Sequence, residues 1–163
     1  MVLDYSFRPM TDDDLPFVAE VYASTRVDEL AQTGWDIAQQ HAFLMQQHEA
    51  QHHHYQSHYP GAEYLIIERG GAAIGRLYRV EWPGEIRVMD ISLAPEARGC
   101  GIGKAILSDI QEEAAARGKA VSIHVEKHNP ARNLYLRLGF AVAEAKGVYD
   151  LLEWRAPVER KAG

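Results

Sequence analysis

Residues 98–104 read Arg-Gly-Cys-Gly-Ile-Gly-Lys, between the apolar run "VMDISL" and the helix-like run "AILSDIQEEAAARG". Alternating glycines let a backbone turn its N–H groups toward one point, and the start of a helix adds a partial positive charge there. The chemistry this suits is the holding of a pyrophosphate. It is not a nucleoside-triphosphate loop, because Lys104 is followed by Ala105 where a magnesium-binding Ser or Thr would stand. Nor is it placed as a dinucleotide fingerprint, which opens the first strand–helix–strand unit and precedes an acidic ribose ligand. Here the loop comes late, after three strand-like runs.

A second stretch, residues 47–60 ("QHEAQHHHYQSHYP"), gathers His48, His52, His53, His54 and His58, with His41 upstream. His48/His52 and His54/His58 have the i, i+4 spacing that can hold a metal on a helix, and His48-Glu49-x-x-His52 matches the bare metalloprotease pattern. Neither pair has an evident third ligand, so no metal centre is expected. Wound as a helix, Ile37, His41, Leu44, His48, His52 and Tyr55 share one core-facing stripe, while His53, His54 and His58 meet solvent. The plain expectation for His48 and His52 is packing; the functional one is a pocket wall.

The elements that must position these groups are legible in the punctuation. "SFR" reads as a short strand, and Thr11 before Asp12, Asp13 and Asp14 as a cap opening a helix to about Tyr22. A longer helix runs from near Trp35-Asp36 to before Pro60-Gly61. "AEYLIIE", "AAIGRLYRV" and "EIRVMDISL" are strands joined by "RGG" and "WPG" turns, hence antiparallel neighbours. The glycine loop then starts a helix with Ile106, Leu107, Ile110 and Ala114 on one face and Gly118 as its stop. "AVSIHVE" is a strand, "PARNLYLRLG" a short helix from Pro130, and "FAVAEA" with "VYDLLEW" a closing hairpin. The expected class is α/β (α+β): a mixed, mostly antiparallel seven-stranded sheet with helices on both faces.

With 163 residues, 47% of them hydrophobic, the chain is expected to form one domain over residues 1–163. A net charge of -6 provides no positive field for nucleic acid or an anionic membrane. Arg76, Arg79 and Arg87 are accordingly expected on a solvated edge of the sheet. The single Cys100 excludes an internal disulfide and a CxxC pair, which favours a reducing, cytoplasmic setting. The N-terminus shows no basic-then-apolar export signal, and no apolar run is long enough to span a membrane.

Arg98 to Gly103 resembles the Arg/Gln-x-x-Gly-x-Gly/Ala loop of the GNAT superfamily of N-acetyltransferases. "HNPARNLYLRLGF" is similar to that superfamily's second signature, Asn-x-x-Ala/Ser-x-x-Leu-Tyr followed by Gly-Phe, with His128 in the asparagine's place and Asn129 one residue late. The resemblance implies a GNAT fold whose fourth and fifth strands splay into a cleft for acetyl-coenzyme A. It implies that Ile91, Ser92 and Leu93 pair with the pantetheine through their backbone. Arg98, Gly99, Cys100, Gly101, Ile102, Gly103 and Lys104 would hold the pyrophosphate, mainly through main-chain N–H groups. Asn129 would meet the pantetheine arm, with Asn133 and Arg137 near the nucleotide end.

The same resemblance gives Tyr135 the role of protonating the departing thiolate, a phenol being a fit donor beside the sulfur. Asp90, on an apolar strand where burial would raise a carboxyl pKa, is the candidate base. Glu126 and His124 compete with it, and a water chain would also serve. Cys100 is expected to be a passive member of the loop, since the family transfers the acetyl group directly. Because the first two helices wall the acceptor site in that family, Trp35, Phe43, His48, His52 and Tyr55 would shape an acceptor pocket, with Glu126 nearby. The implied activity is acetyl transfer to a primary amine of a small molecule or peptide. A catalytically silent acyl-coenzyme A sensor is the alternative, and a homodimer is compatible with the resemblance.

Overall fold

The computed structural model describes residues 4–157. They fall into two compact units: one runs to Tyr78 and takes in Ile91–Cys100, the other comprises Arg79–Asp90 and the chain from Gly101 onward. Met1–Leu3, the start of the stretch read above for an export signal, lie outside the described residues. The elements follow the expected order: β1 (Ser6–Pro9), α1 (Leu15–Ser24), α2 (Val27–Ala31), α3 (Ile37–His58), β2 (Glu63–Arg69), β3 (Ala72–Glu81), β4 (Glu85–Leu93), α4 (Ile102–Arg117), β5 (Ala120–Glu126), α5 (Ala131–Arg137), β6 (Ala141–Lys146) and β7 (Tyr149–Trp154). Among the described residues, α2 and a short 3-10 turn over Pro95–Ala97 are additional. The seven strands lie in the order β1-β2-β3-β4-β5-β7-β6. The β1–β2, β5–β7 and β6–β7 pairs are antiparallel, and β4–β5 is parallel. Among the described residues no helix is long and apolar enough to cross a membrane.

In the first unit, Asp14 settles the entry to α1. Its carboxylate accepts two bonds from Arg8, at 2.7 and 2.8 Å, and one from the Thr11 backbone N–H at 2.8 Å. The Arg8 guanidinium, against a cost of burial and with help from that N–H, holds the Asp14 carboxyl well below the usual carboxylate range. Helix α3 starts with a reciprocal cap: Asp36 Oδ1 accepts from Gln39 N at 2.8 Å, and Gln39 Oε1 accepts from Asp36 N at 3.0 Å. Of its 22 residues only His48 is fully buried. What binds α3 to β3 is therefore a polar and aromatic cluster. The Arg76 guanidinium lies over the Tyr78 ring at 4.8 Å and donates to Gln51 Oε1 at 3.0 Å and to His48 Nε2 at 3.4 Å. Tyr64 and Tyr78 meet edge to face at 4.9 Å, with His52 against both.

The second unit is built on β5, which pairs with β7 from Val121↔Trp154 to Glu126↔Tyr149. Helix α4 buries Ile102, Ile106, Leu107, Ile110 and Ala114, the face its periodicity marks, and stops at Gly118 in the left-handed conformation (φ 67). Gln111 Nε2 donates to the Leu138 carbonyl at 2.9 Å and ties α4 to the end of α5.

The expectation that Arg76, Arg79 and Arg87 line a solvated edge is wrong. They are 1%, 8% and 9% exposed. They stand on β3 and β4, interior strands of the sheet, where each guanidinium is met by side chains. Arg79 pairs with Glu113 at 2.7 Å, and Arg87 donates to Ser122 Oγ at 2.7 Å and stacks on Trp82. The stripe on α3 is also shorter than its period suggests: His48, His52 and Tyr55 turn inward, but Ile37, at the helix start, is 86% exposed and His41 is exposed.

Candidate active site

The parallel β4–β5 ladder runs only from Glu85↔Ala120 to Val88↔Ile123, although β5 continues beside β7 to Glu126. Met89 and Asp90 therefore stand past the end of that ladder, which is the splay the resemblance implies. Tyr135 belongs to the same unit. It reaches inward from α5, 6% exposed, with its ring against Phe140. Its hydroxyl makes no hydrogen bond among the described residues. Burial, and after it the charge of Asp90, pushes the phenol pKa far above its ordinary value. The acid and base named from sequence are thus electrostatic neighbours, and the phenol keeps its proton throughout the neutral range.

The rival bases are placed differently. Arg87 Nη1 lies 3.4 Å from His124 Nδ1. A guanidinium can only donate, so that nitrogen accepts, and a neutral His124 keeps its proton on Nε2. Burial, then the charges of Arg87 and Lys146, lowers the His124 pKa. Its lone pair is thus occupied. Glu126, half-buried at the end of β5, lies 3.5 Å from the Tyr149 hydroxyl.

Asn129 precedes α5. Its Oδ1 accepts the Ala131 N–H at 2.9 Å in a tight local turn, which leaves the amide NH2 to donate elsewhere. Asn133 and Arg137 are exposed on α5. Behind this turn lies a residue the sequence reading missed. Asp150 on β7, 3% exposed, accepts from Arg132 Nε at 3.0 Å and lies 3.8 Å from Lys127 Nζ. No motif marks it; the only signal was an acidic residue alternating inward on an otherwise apolar strand.

Along the glycine loop, Gly99 and Gly101 adopt φ of 77° and 86°, a region open to glycine at little cost. Ala105 is the first residue whose N–H finds a helical acceptor, Gly101 O at 3.0 Å. Among the described residues, the N–H groups of Ile102, Gly103 and Lys104 are the free donors of a helix start. Arg98 does not extend from the loop: its Nε donates to Leu93 O at 3.0 Å and its Nη2 to Ser24 Oγ at 2.8 Å. The Cys100 thiol is exposed and donates to Ala97 O at 3.2 Å, and the Lys104 side chain is exposed. Ile91, Ser92 and Leu93 are half-buried. Gly75 fits so closely against Ser92 and Leu93 that a Cβ there would strike the Ser92 carbonyl oxygen.

A family model described as the acetyltransferase (GNAT) family matches residues 26–140. The chain belongs to this family. The crystal structure of PaiA N-acetyltransferase from Thermoplasma acidophilum in complex with coenzyme A is 17% identical, covering 94% of this acetyltransferase and 100% of that chain with a TM-score of 0.69. YncA, a putative acetyltransferase from Salmonella typhimurium with its cofactor acetyl-CoA, is 18% identical over 99% of this chain and 100% of its own, at 0.56. A GNAT family acetyltransferase from Elizabethkingia anophelis with acetyl-CoA bound is 14% identical over 94% and 99%, at 0.59. These are likenesses of fold. No curated protein sequence matches the acetyltransferase.

Those residues expected in its acceptor pocket that belong to the first unit lie at different points along α3 and its start. In the first unit, His48 and His52 line a groove between α1 and α3, joined by His53, which the helical reading turned to solvent. Trp35 packs edge to face on Phe43 at 5.0 Å near the start of α3, and Tyr55 packs on Tyr78 at 5.9 Å. Glu126 belongs to the other unit. Among the described residues, no group of three or more His, Cys, Asp or Glu side chains is placed to hold a metal ion.

Proposed function

We propose that this acetyltransferase moves an acetyl group from acetyl-coenzyme A to a primary amine by direct attack in a ternary complex. The observation that carries the reading is Tyr135: a buried, protonated phenol whose hydroxyl makes no hydrogen bond among the described residues and which feels the charge of Asp90, a residue past the end of the β4–β5 ladder. Acetyl-coenzyme A supplies the thioester, whose C–S bond breaks as the C–N bond to the amine forms. The chain fits such a group: two glycines in left-handed geometry and the free N–H groups of the α4 first turn suit a pyrophosphate. Structures of the same fold containing coenzyme A or acetyl-CoA support the assignment.

Tyr135 holds a proton for the departing sulfur and is recharged from solvent. Asp90 takes the proton that the attacking nitrogen loses, directly or through water, and its charge discourages Tyr135 from ionising between turnovers. A strand N–H stabilises the carbonyl oxygen as negative charge gathers on it. The test is thiol release from acetyl-CoA across amines, amino acids, polyamines and peptides. Wild type turns over at least one amine, and Tyr135→Phe loses about a hundredfold in kcat with cofactor affinity retained. Cofactor binding with no turnover of any amine would overturn the enzyme reading; full turnover in Tyr135→Phe would remove the acid.

A further inference from the structure

Helices α1 and α3 leave between them, within the first unit, a groove of about 630 Å³. Its walls are mostly apolar, with Leu15, Ala19 and Ala23 on α1 facing Leu44 and Met45 on α3. That volume is in the range of sites that hold small organic molecules. Apart from the histidines His41, His48, His52 and His53, the charged lining is one-signed. Glu20 from α1 and Glu49 from α3 stand in the walls, both exposed, and no lysine or arginine lines the groove. Neither carboxylate makes an ion pair or a hydrogen bond among the described residues. Of the deeper imidazoles, His48 accepts from Arg76 at Nε2, and burial of His52 disfavours its charged form.

An apolar slot with two unneutralised carboxylates selects against fatty acids and other anions. It is also a poor host for a polyamine, which needs acceptors along its whole length. The complementary ligand has one cationic head and an apolar body. We propose that the α1–α3 groove binds an amphiphilic amine, an alkyl- or arylalkylammonium whose apolar body lies between the helices and whose head meets Glu20 and Glu49. This goes beyond the acetyl-transfer reading and does not depend on it, because the binding needs no cofactor.

The experiment titrates the full chain, without coenzyme A, with n-octylammonium, n-octanol and n-octanoate by calorimetry and amide chemical shifts. Octylammonium binds most tightly and octanoate least, with shifts concentrated on α1 and α3. The double variant Glu20→Gln/Glu49→Gln binds octylammonium about fivefold more weakly, the loss expected for two exposed charge contacts. Ala19→Phe, which fills the slot, abolishes binding. Met45→Trp does the same at a position already 42% exposed, so it guards against misfolding of the first variant. Octanol or octanoate binding as tightly as octylammonium, a double Gln variant that binds like wild type, or two folded, slot-filled variants that still bind would each overturn the proposal.

Discussion

Replacing Asp150 tests whether the turn carrying Tyr135 is held from behind. Arg132 sits one helical turn before Tyr135 and Lys127 at the end of β5, so the carboxylate grips both sides of the turn between β5 and α5. Breaking a fully buried ion pair by removing one partner costs about 3–5 kcal/mol. Here the cations keep water: the Arg132 and Lys127 side chains are 28% and 40% exposed against 4% for Asp150. The expected cost of Asp150→Ala is therefore about 2 kcal/mol, and that of Asp150→Asn, which still accepts from Arg132, about 1 kcal/mol. Urea unfolding of Asp150→Ala, Arg132→Gln and the double variant should give a coupling of about 1 kcal/mol. If the clamp also aims Tyr135, Asp150→Ala lowers kcat about tenfold through misplacement, with coenzyme A affinity little changed and Asp150→Asn recovering part of the rate. A coupling under about 0.3 kcal/mol together with wild-type turnover would refute the reasoning.

Three further outcomes follow from the geometry. Gly75→Ala drives a Cβ into the Ser92 carbonyl oxygen; it should cost about 2 kcal/mol and raise KM for acetyl-CoA, read from thermal melts and steady-state kinetics. The Tyr64 hydroxyl is buried without a hydrogen-bond partner among the described residues, so Tyr64→Phe should stabilise the protein by about 1 kcal/mol in urea. Asp14, whose folded pKa lies below the unfolded value near 3.9, contributes stability that is present above that value and lost as pH falls through the folded one. Asp14→Asn should accordingly be less stable at neutral pH and show a flatter loss of stability below about pH 4.

The strand and helix order was legible because its signals are local: turn glycines, the Asp36–Gln39 cap, the apolar face of α4. Helix α2 was not, since five residues are too few to display a period. The buried arginines were misread for a different reason. An arginine in a strand reads as exposed unless one knows which side chains face it, and Glu113 and Ser122 lie more than thirty residues along the chain from the arginines they meet. For the site, the glycine loop and Tyr135 came with motifs. The acceptor residues did not, because a pocket wall depends on which helix lies alongside. Ile37 and His41 share the stripe of His48, yet both are exposed.

The way α3 is fastened bears on how the protein responds to temperature. Hydrocarbon hydration makes stability curves bend, through the large heat capacity of newly wetted apolar surface. Releasing α3 would wet mainly imidazole, amide, phenol and guanidinium groups from the Arg76 cluster, whose polar atoms contribute with the opposite sign. Local opening of this helix should thus carry a small heat-capacity increment. Its hydrogen-exchange protection would change almost linearly between cold and warm, while that of the aliphatic face of α4 follows the full dome.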